Sequence, residues 1–484
     1  MTYSTNPTVV WFRRDLRLSD NRALTEAVTK HAPILPIYIW GYEGDLTASN
    51  KTRSVWWLLK SLRNLDHDLK LVGSKLVILK GNPLGVISKL AYQISPRAIY
   101  WNKVYEPNRI SLDRKISLRL DNLNIEHSSF EGHLLWNPEE IRNVDGGHYQ
   151  TFTAFWNKAN KLPMFGASSQ KPNVLPMPLF DHDSISIDEL ERNTTASRNK
   201  NLVNYWSPSE DSANQLLGNF ISTKLEVYEK TRNIPHISNS KLSPYIHFGQ
   251  VSPFTIWSRT ISELENIDAQ NQFLKQLAWR DFAHYVLIHN PGAINNPIKP
   301  QFQRFPWVND PKGFSSWKLG ETGYPIVDAG LRELSETGFM HNRVRMVAAS
   351  FLTKHLLIHW NKGARHFEDM LVDADLANNI MGWQWVAGTG TDSMPYFRIF
   401  NPTLQGKRFD PHGKYVKRWI PELSKIPQVW VHQPWQSPER TLSMVGIKLG
   451  KTYPFPIIDH DMARVRALDA YKVTQLTNKV SQLI

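Results

Sequence analysis

Short apolar segments alternate with longer amphipathic segments over the first 130 residues of the chain. The apolar segments predict strands at 8–12, 33–39, 75–80, 97–101 and 124–129. The spacing of apolar residues predicts helices over 20–29, capped by Ser19 or Asp20, and over 54–69. This alternation is typical of a doubly wound, mostly parallel α/β sheet. No G-x-G-x-x-G fingerprint follows a strand, so an ordinary dinucleotide site is not predicted.

The pattern changes beyond residue 135. Pro, Asn, Ser and Asp are scattered through 136–205 with weak periodicity, which indicates a long linker. Helical periodicity then predominates, in runs at 211–232, 253–265, 270–289, 325–336, 342–358 and 364–371. The sequence therefore predicts an α/β domain at 1–135, a linker at 136–205 and an all-helical domain at 206–484.

Composition narrows the class of protein. With 484 residues, 41% of them apolar, the chain can fill the cores of two or three domains. It has no cysteine, which excludes disulfides, thiolate nucleophiles and iron–sulfur clusters. No apolar run approaches the length of a membrane span and no signal-peptide pattern opens the chain, so we expect a cytoplasmic protein.

Charge and tryptophan content point to flat, anionic partners. Lys and Arg number 57 against 44 Asp and Glu, giving +13, and there are 18 tryptophans. A positive surplus favours polyanions such as nucleic acid or an anionic membrane, and aromatic surface suits unpaired bases or a flavin. A merely basic protein with tryptophans in an ordinary core is the alternative.

The densest group of unusual residues lies between 276 and 402. Trp279, Arg280 and Asp281 fall within one helical turn. Farther along, Asn342, Arg345 and Met346 share a face if their segment is helical, because positions three and four apart are neighbours. An amide, a cation and a thioether on one face suit a flat heteroaromatic ligand, although a partly buried amphipathic helix explains the same pattern.

A second polar group runs from Asp373 to Trp385. Buried carboxylates need partners, and Arg345 is a candidate partner for Asp373. Asp373 and Asp375 are close in sequence but no histidine cluster accompanies them, so a metal site is not favoured. Carboxylates and amides that address the edge of a heterocycle fit better.

Hydroxyls and amides also collect after Tyr228. They precede a helix that starts near Ser243 and Pro244, where exposed backbone N–H groups could bind an anion. A helix cap rich in Ser and Asn is the commoner explanation of such a pattern.

Taken together, these segments resemble the photolyase/cryptochrome family, and most closely its class I photolyases of cyclobutane pyrimidine dimers. The motifs occur in family order over nearly the whole chain: Trp11 to Asn21, Trp279 to Phe282, Thr322 to Ala329, Met340 to Met346, Gly382 to Trp385 and Tyr396 to Pro402. The resemblance implies an α/β antenna domain, a linker and a helical domain that holds FAD.

Site residues follow from the same resemblance. It assigns the flavin's phosphate and sugar contacts to Tyr228, Asn239, Ser240, Leu242 and Ser243, with Asn239 where the family usually has threonine. It pairs Arg345 with Asp373 beside the isoalloxazine, puts Asp375 at the ring's polar edge and Asn379 near its central reactive nitrogen, and lines the pocket with Trp279. It also makes Trp383, Trp360 and Trp307 a chain that passes electrons to the flavin.

The implied reaction is the light-driven transfer of one electron from reduced FAD to a pyrimidine dimer, which splits and returns the electron. The lesion must leave the duplex of UV-damaged DNA, and flipping costs least at a damaged, poorly stacked site. Trp279 and Trp385 would pack on the flipped bases, and basic residues would hold the flanking phosphates.

The choice of lesion depends on three positions. Asn342 and Met346 match dimer-repair enzymes, whereas (6-4) photoproduct enzymes carry histidines in that helix; His341 is one position off. Gln276 argues the other way, because dimer photolyases usually have glutamate there and (6-4) enzymes have glutamine. Glutamine can donate an N–H bond but cannot supply a proton. Dimer repair is the favoured interpretation.

The antenna cofactor and two rival functions stay open. Folate-binding members have Asn-Glu after the fourth strand, and here Asn108 precedes Arg109, which weakens the folate interpretation. Folate, a deazaflavin, a second flavin and an empty pocket stay open. A cryptochrome light sensor is one rival, but sensors often carry a long C-terminal extension and this sequence stops soon after a helix near 461–481. An unrelated nucleotide-binding α/β protein is the other. We expect a monomer.

Overall fold

A computed structural model describes residues 6–30, 33–41, 52–165, 169–178, 184–237, 239–264 and 266–481. Internal contacts divide the chain into two units. The first comprises 1–226, 240–289 and 372–374, and the second comprises 227–239, 290–371 and 375–484. Each unit is described by itself.

The first unit contains a five-stranded parallel sheet. Its strands are β1 (Thr8–Phe12), β2 (Ile34–Trp40), β3 (Val77–Lys80), β4 (Ala98–Asn102) and β5 (Glu126–Phe130), in the order β3-β2-β1-β4-β5. All five lie within two residues of the predicted bounds. Strands β1, β2 and β4 are buried along their whole length, as is typical of parallel strands covered on both faces. The predicted doubly wound α/β domain is confirmed.

The first unit also contains ten α-helices among the described residues. They are α1 (Arg22–Lys30), α2 (Arg53–Leu71), α3 (Pro83–Ile94), α4 (Pro107–Asp121), α5 (Phe152–Ala159), α6 (Ile187–Arg192), α7 (Glu210–Thr223), α9 (Ser243–His247), α10 (Pro253–Glu263) and α11 (Ile267–His289). The short helix α8 (Tyr228–Thr231) belongs to the second unit. A 3₁₀ segment spans Thr195–Asn204. The sheet core includes Val9, Leu35 and Ile99, and Val9 pairs with both of the other two.

The segment around Phe248 is tied to the residues that follow β1. Leu16 N donates to Phe248 O at 3.1 Å, and Arg17 Nη1 donates to Gly249 O at 2.8 Å. Gly249 has φ +70°, and a Cβ there would lie 2.0 Å from Arg14 O, so only glycine fits. This contact joins parts of the chain more than 230 positions apart.

The predicted cap of the first helix is wrong. The capping side chain is Asn21, whose Oδ1 accepts from Leu24 N at 3.2 Å. Asp20 instead adopts a left-handed conformation (φ 47°), and its carboxylate accepts hydrogen bonds from Ser252 Oγ and Thr255 Oγ1. The acidic side chain thus serves α10 rather than α1.

The second unit is helical among the residues that the structure describes. Its helices continue as α12 (Pro311–Leu319), α13 (Pro325–Thr337), α14 (Asn342–Ser350), α15 (Trp360–Met370), α16 (Leu376–Ala387), α17 (Pro402–Phe409), α18 (Lys414–Trp419), α19 (Glu439–Met444) and α20 (His460–Ser481). Short 3₁₀ turns lie at Pro291–Ile294, Pro300–Phe302, Pro421–Leu423, Gln428–Trp430 and Pro434–Gln436. The predicted all-helical C-terminal region is confirmed.

Two long predicted helices are interrupted. The run at 211–232 breaks because the amides of Lys224 and Leu225 both bond to Phe220 O, which closes α7 and buries Leu225. The run at 342–358 passes from α14 into a π turn at Phe351–His355 and stops at Leu357, where φ is +53°.

Within the described ranges, no helix combines the length and the apolar character that a bilayer crossing requires.

Candidate functional site

Helix α11 carries two predicted site residues in the first unit. Gln276 and Trp279 are three positions apart, so they are neighbours on the helix, and both are half-buried. The Trp279 ring stacks on Phe152, with centroids 3.8 Å apart and planes 9° apart. Gln276 Nε2 donates to Gln272 O at 3.2 Å. The indole is therefore held in a fixed plane.

A hydroxyl and a carboxylate meet elsewhere in this unit. Ser243 Oγ donates to Asp373 Oδ2 at 2.6 Å, although 130 positions separate them. Asp373 is buried, and directly before Ser243 the chain has buried Leu242 and half-buried Ser240. A short hydrogen bond to a carboxylate is charge-assisted, so this contact fixes both side chains.

Helix α14 presents the predicted polar face in the second unit. Asn342 is exposed, and Arg345 and Met346 are half-buried. Arg345 Nε donates to Met340 O at 2.7 Å. His341 caps the helix: its Nδ1 accepts from Arg343 N at 3.2 Å, and burial lowers its pKa to about 4. The histidine is therefore neutral and committed to the backbone.

The start of α16 fixes the predicted carboxylate and amides. Asp375 caps the helix by accepting from Asn378 N at 2.9 Å and Asn378 Nδ2 at 2.8 Å. Asn379 Nδ2 donates to Ala364 O at 2.9 Å. This bond fixes the amide group, so that its Oδ1 points away from Ala364 and can act as an acceptor.

Three further predicted residues lie half-buried in this unit. Tyr228 opens α8, and burial raises its pKa; Asn239 follows that helix, and Trp385 lies on α16. The expected pairing of Arg345 with Asp373 stays a prediction, because the two belong to different units.

The three predicted electron-transfer tryptophans share one unit and differ in burial. Trp383 (2% exposed) and Trp360 (0%) are in the core, whereas Trp307 is half-buried. The His359 ring lies 5.1 Å from Trp307 and 5.4 Å from Trp360. A Cβ at Gly363 would lie 2.1 Å from the Trp383 ring, so α15 and α16 touch at this indole.

Both core indoles have buried Nε1 groups without a hydrogen-bond partner among the described residues. An indole that has no acceptor for its N–H proton keeps that proton when it is oxidised. This arrangement is compatible with the electron-transfer role that the sequence predicts for Trp360 and Trp383.

Sequence reasoning missed two aromatic neighbours of these residues. Phe152, the stacking partner of Trp279, lies in the stretch interpreted as a linker, where weak periodicity carried no signal. Trp317 is fully buried, and its ring is edge-on to Trp383 at 6.1 Å. Its position in the helix α12 was the one feature of the sequence that could have indicated its burial.

The first unit also has a cavity at the carboxyl ends of its strands. It is lined by Trp11, Arg13, Arg14, Tyr38, Arg109 and Phe248, and its volume is about 20 Å³. Arg14 pairs with Glu106 at 2.9 Å and Arg13 with Asp113 at 2.7 Å. This volume holds about one water, whereas ligand sites typically need ~300 Å³ or more. The side chains present do not fit a flavin-sized second chromophore in this cavity.

Comparisons with known proteins point to one family over most of the chain. The family model for DNA photolyase matches residues 8–176, and that for the FAD binding domain of DNA photolyase matches 273–473. A deoxyribodipyrimidine photo-lyase from Agrobacterium fabrum is 39% identical over 99% of this chain and 100% of its own length. The chain belongs to the DNA photolyase family.

Other relatives include cryptochromes, and one solved structure is also similar. Cryptochrome-1 from Arabidopsis thaliana is 36% identical over 96% of this chain and 70% of its own length. The crystal structure of a class III photolyase from Agrobacterium tumefaciens has a TM-score of 0.94 and 39% identity, covering 98% of this chain and 99% of that one. That neighbour is a class III photolyase, whereas the motifs of this sequence most closely resemble class I photolyases. Both classes belong to the same family.

The cofactor of this photolyase-family chain is FAD. A dinucleotide flavin needs partners for hydroxyl, phosphate and ring-edge groups. The Ser243–Asp373 bond supplies a fixed hydroxyl and carboxylate in one unit, and Asp375 with Asn379 supplies fixed polar groups in the other.

Proposed function

We propose that this chain is a blue-light-dependent deoxyribodipyrimidine photo-lyase that splits cyclobutane pyrimidine dimers in UV-damaged DNA. The observation that carries the choice of lesion is the face of α14. Asn342 and Met346 offer an amide and a thioether, and the adjacent histidine is a buried, neutral helix cap. Because its Nδ1 accepts the backbone N–H of Arg343, this ring serves as the helix cap and is not part of the Asn342–Met346 face.

Each predicted site residue then has a role. Tyr228, Asn239, Ser240, Leu242 and Ser243 would hold the phosphates and sugars of FAD; Arg345, Asp373, Asp375 and Asn379 would address its ring. When bound and reduced, FAD supplies one light-activated electron to the dimer. The chain's own part is to bind, orient and exclude water.

The family resemblance assigns the lesion contacts to residues of α11, α14 and α16. Trp279, held flat by Phe152, and Trp385 would stack on the flipped bases, and Asn342 and Met346 would contact them. Gln276 would donate an N–H bond to a pyrimidine carbonyl. Flipping favours damaged sites because their stacking is already weakened.

Trp383, Trp360 and Trp307 would carry electrons inward. The burial of the first two and the partial exposure of Trp307 support a path from surface to core. The indole N–H groups of Trp383 and Trp360, which have no partner among the described residues, support reversible oxidation.

Cellular context belongs to the same proposal. We infer a cytoplasmic monomer that acts on DNA, and the domain bounds 1–135, 136–205 and 206–484 stay predictions. A second chromophore, if one is used, is expected outside the 20 Å³ cavity at the strand ends.

A light-sensing function is the second candidate, because Cryptochrome-1 matches nearly the whole chain. One experiment tests both. Purified protein should be yellow, with flavin absorbance, and should restore thymines in a UV-irradiated oligonucleotide under blue light and not in the dark. Flavin without repair would favour the sensor, and absence of flavin would contradict the family's cofactor chemistry in this chain.

A further inference from the structure

One face of the Trp279 indole is covered from within the first unit. The covering ring is Phe152, the first residue of α5, with centroids 3.8 Å and planes 9° apart. Phe282, three positions further along α11, meets the same indole edge-on at 5.8 Å. Trp279 is nonetheless only half-buried, so part of its ring stays open. A flat ligand can therefore stack on Trp279 only through the face opposite Phe152.

The Phe152 ring is itself fixed relative to α11. It is 8% exposed and meets Phe282 edge-on at 5.9 Å. Just before α5, Tyr149 N donates to Tyr285 Oη at 2.9 Å, and Tyr285 Oη donates to Ile141 O at 3.0 Å. These two hydrogen bonds tie the chain that enters α5 to the helix that carries Trp279. The stack of the two rings is therefore built into the first unit.

A stacked indole differs from a free one in how much freedom binding must remove. An indole with no neighbour on either face samples several side-chain rotamers, and a base that stacks on it has to select one of them. Ordering one such side chain on binding weakens affinity by about 2- to 10-fold. The Phe152 ring removes this freedom in the unbound protein, because two flat rings 3.8 Å apart hold each other parallel. The indole is thus preorganised for a flat ligand on its open face.

We propose that Phe152 is a positioning residue that sets the preference for damaged over undamaged DNA, by holding the open face of Trp279 in one orientation for a single flipped base. The inference rests on the proposed contact between Trp279 and the lesion. Phe152 touches the indole and not the DNA. Undamaged duplex keeps its bases paired and is held through its phosphates, so the stack contributes to binding of the damaged site alone.

The test compares Phe152→Leu with Phe155→Leu in the full chain loaded with FAD. Each removes one buried ring from α5, but the ring contacts of Phe155 among the described residues are with Phe282 and Tyr285. Dissociation constants are measured in the dark for a duplex with one cyclobutane dimer and for the same duplex without it. We expect Phe152→Leu to weaken binding of the dimer duplex by about 2- to 10-fold, to leave undamaged duplex within about twofold, and Phe155→Leu to keep the ratio of the two constants.

Phe152→Met provides a second variant, because a flexible chain fills the same space without a flat face. It should lower the damaged-to-undamaged preference as Phe152→Leu does, and thermal unfolding shows that each variant is folded. A folded Phe152 variant with unchanged preference overturns the proposal. So does an equal loss for both duplexes, or a loss of preference in Phe155→Leu as well.

A double-mutant cycle shows whether Phe152 acts through the indole. In a Trp279→Leu background, Phe152→Leu should cause no further loss of dimer binding, because no indole is left to orient. A merely structural role would weaken dimer binding by the same factor in both backgrounds, and that result would exclude positioning.

Trp279→Leu alone separates this inference from the proposal on which it rests. If that variant keeps the full preference for the dimer duplex, the proposed lesion contact of Trp279 is wrong. If Trp279→Leu loses the preference while Phe152→Leu keeps it, the lesion contact stands and only the role of Phe152 is wrong.

Discussion

Gln276 is the residue at which this chain departs most from dimer-repair photolyases. Its amide can donate to a pyrimidine carbonyl, but a glutamic acid could also supply a proton to the split dimer. We expect Gln276→Glu to leave FAD binding intact and to preserve or raise the yield of dimer repair in a steady-state photorepair assay. Gln272→Glu, one turn earlier on α11, makes the same chemical change at a neighbouring position to which no lesion contact is assigned. Loss of repair in Gln276→Glu alone would contradict the role given to this side chain.

Lys354 makes stability depend on pH. It is fully buried and donates to Arg398 O at 3.0 Å, and burial, with a smaller effect of Arg398, lowers its pKa from 10.5 to about 7. Between these pH values the unfolded chain binds the proton and the folded chain releases it. Stability should therefore rise with pH over this window, by at most about 1.4 kcal/mol per pH unit.

Lys354→Met removes that titration. In urea unfolding at about pH 7.5 and about pH 9.5, the advantage of wild type over variant should grow with pH. Lys362→Met, which removes an exposed lysine from α15, controls for the change in net charge. A constant difference across this window would mean that Lys354 stays charged in the folded protein.

At the scale of the element, two glycines on adjacent helices offer a matched pair. A Cβ at Gly363 of α15 would lie 2.1 Å from the Trp383 ring, while one at Gly382 of α16 meets nothing within 4 Å. Gly363→Ala should destabilise the protein by about 1–3 kcal/mol through overpacking. Gly382→Ala should stabilise it by up to about 1 kcal/mol, because alanine favours the helix. Thermal unfolding measures both, and equal signs would contradict the contact.

Strands β1, β2 and β4 could be predicted from sequence because they are buried on both faces and read as nearly continuous apolar runs. The interruptions of the helices could not be predicted in this way. The break after α7 comes from two amides that share Phe220 O, and the π turn after α14 ends at Leu357, neither of which changes the apolar periodicity. The cap at Asn21 was missed because Asp20, an equally good cap by type, bonds to a helix distant in sequence.

Some site residues could also be predicted from the sequence, and others could not. Those in motifs of the family, such as Trp279 and Asn342, were identified from the order of the motifs. Phe152 and Trp317 were not, because their contacts join segments far apart in sequence. Periodicity describes one element at a time and carries no information on such pairs.

For the whole molecule, the net charge of +13 predicts how DNA binding responds to salt. If ~6 or more phosphates are neutralised, affinity should fall on the order of 10³-fold between about 50 and 200 mM salt. Filter binding with damaged and undamaged duplexes should give similar salt slopes and different absolute affinities, because phosphates position the protein and the flipped lesion is the specific contact. A salt-independent affinity would contradict a phosphate-dominated interface.

The ties between the residues after β1 and the stretch near Phe248 limit how this protein can be divided. A fragment that ended in the 136–205 stretch would leave Arg17 Nη1 without Gly249 O and the Trp57 indole without Gln250, its partner at 2.9 Å. The loop after β1 and helix α2, which flank the sheet, would lose these hydrogen-bond partners. Chimeras between photolyases should consequently exchange residues 240–289 together with the N-terminal sheet, and not by a single crossover in the intervening stretch.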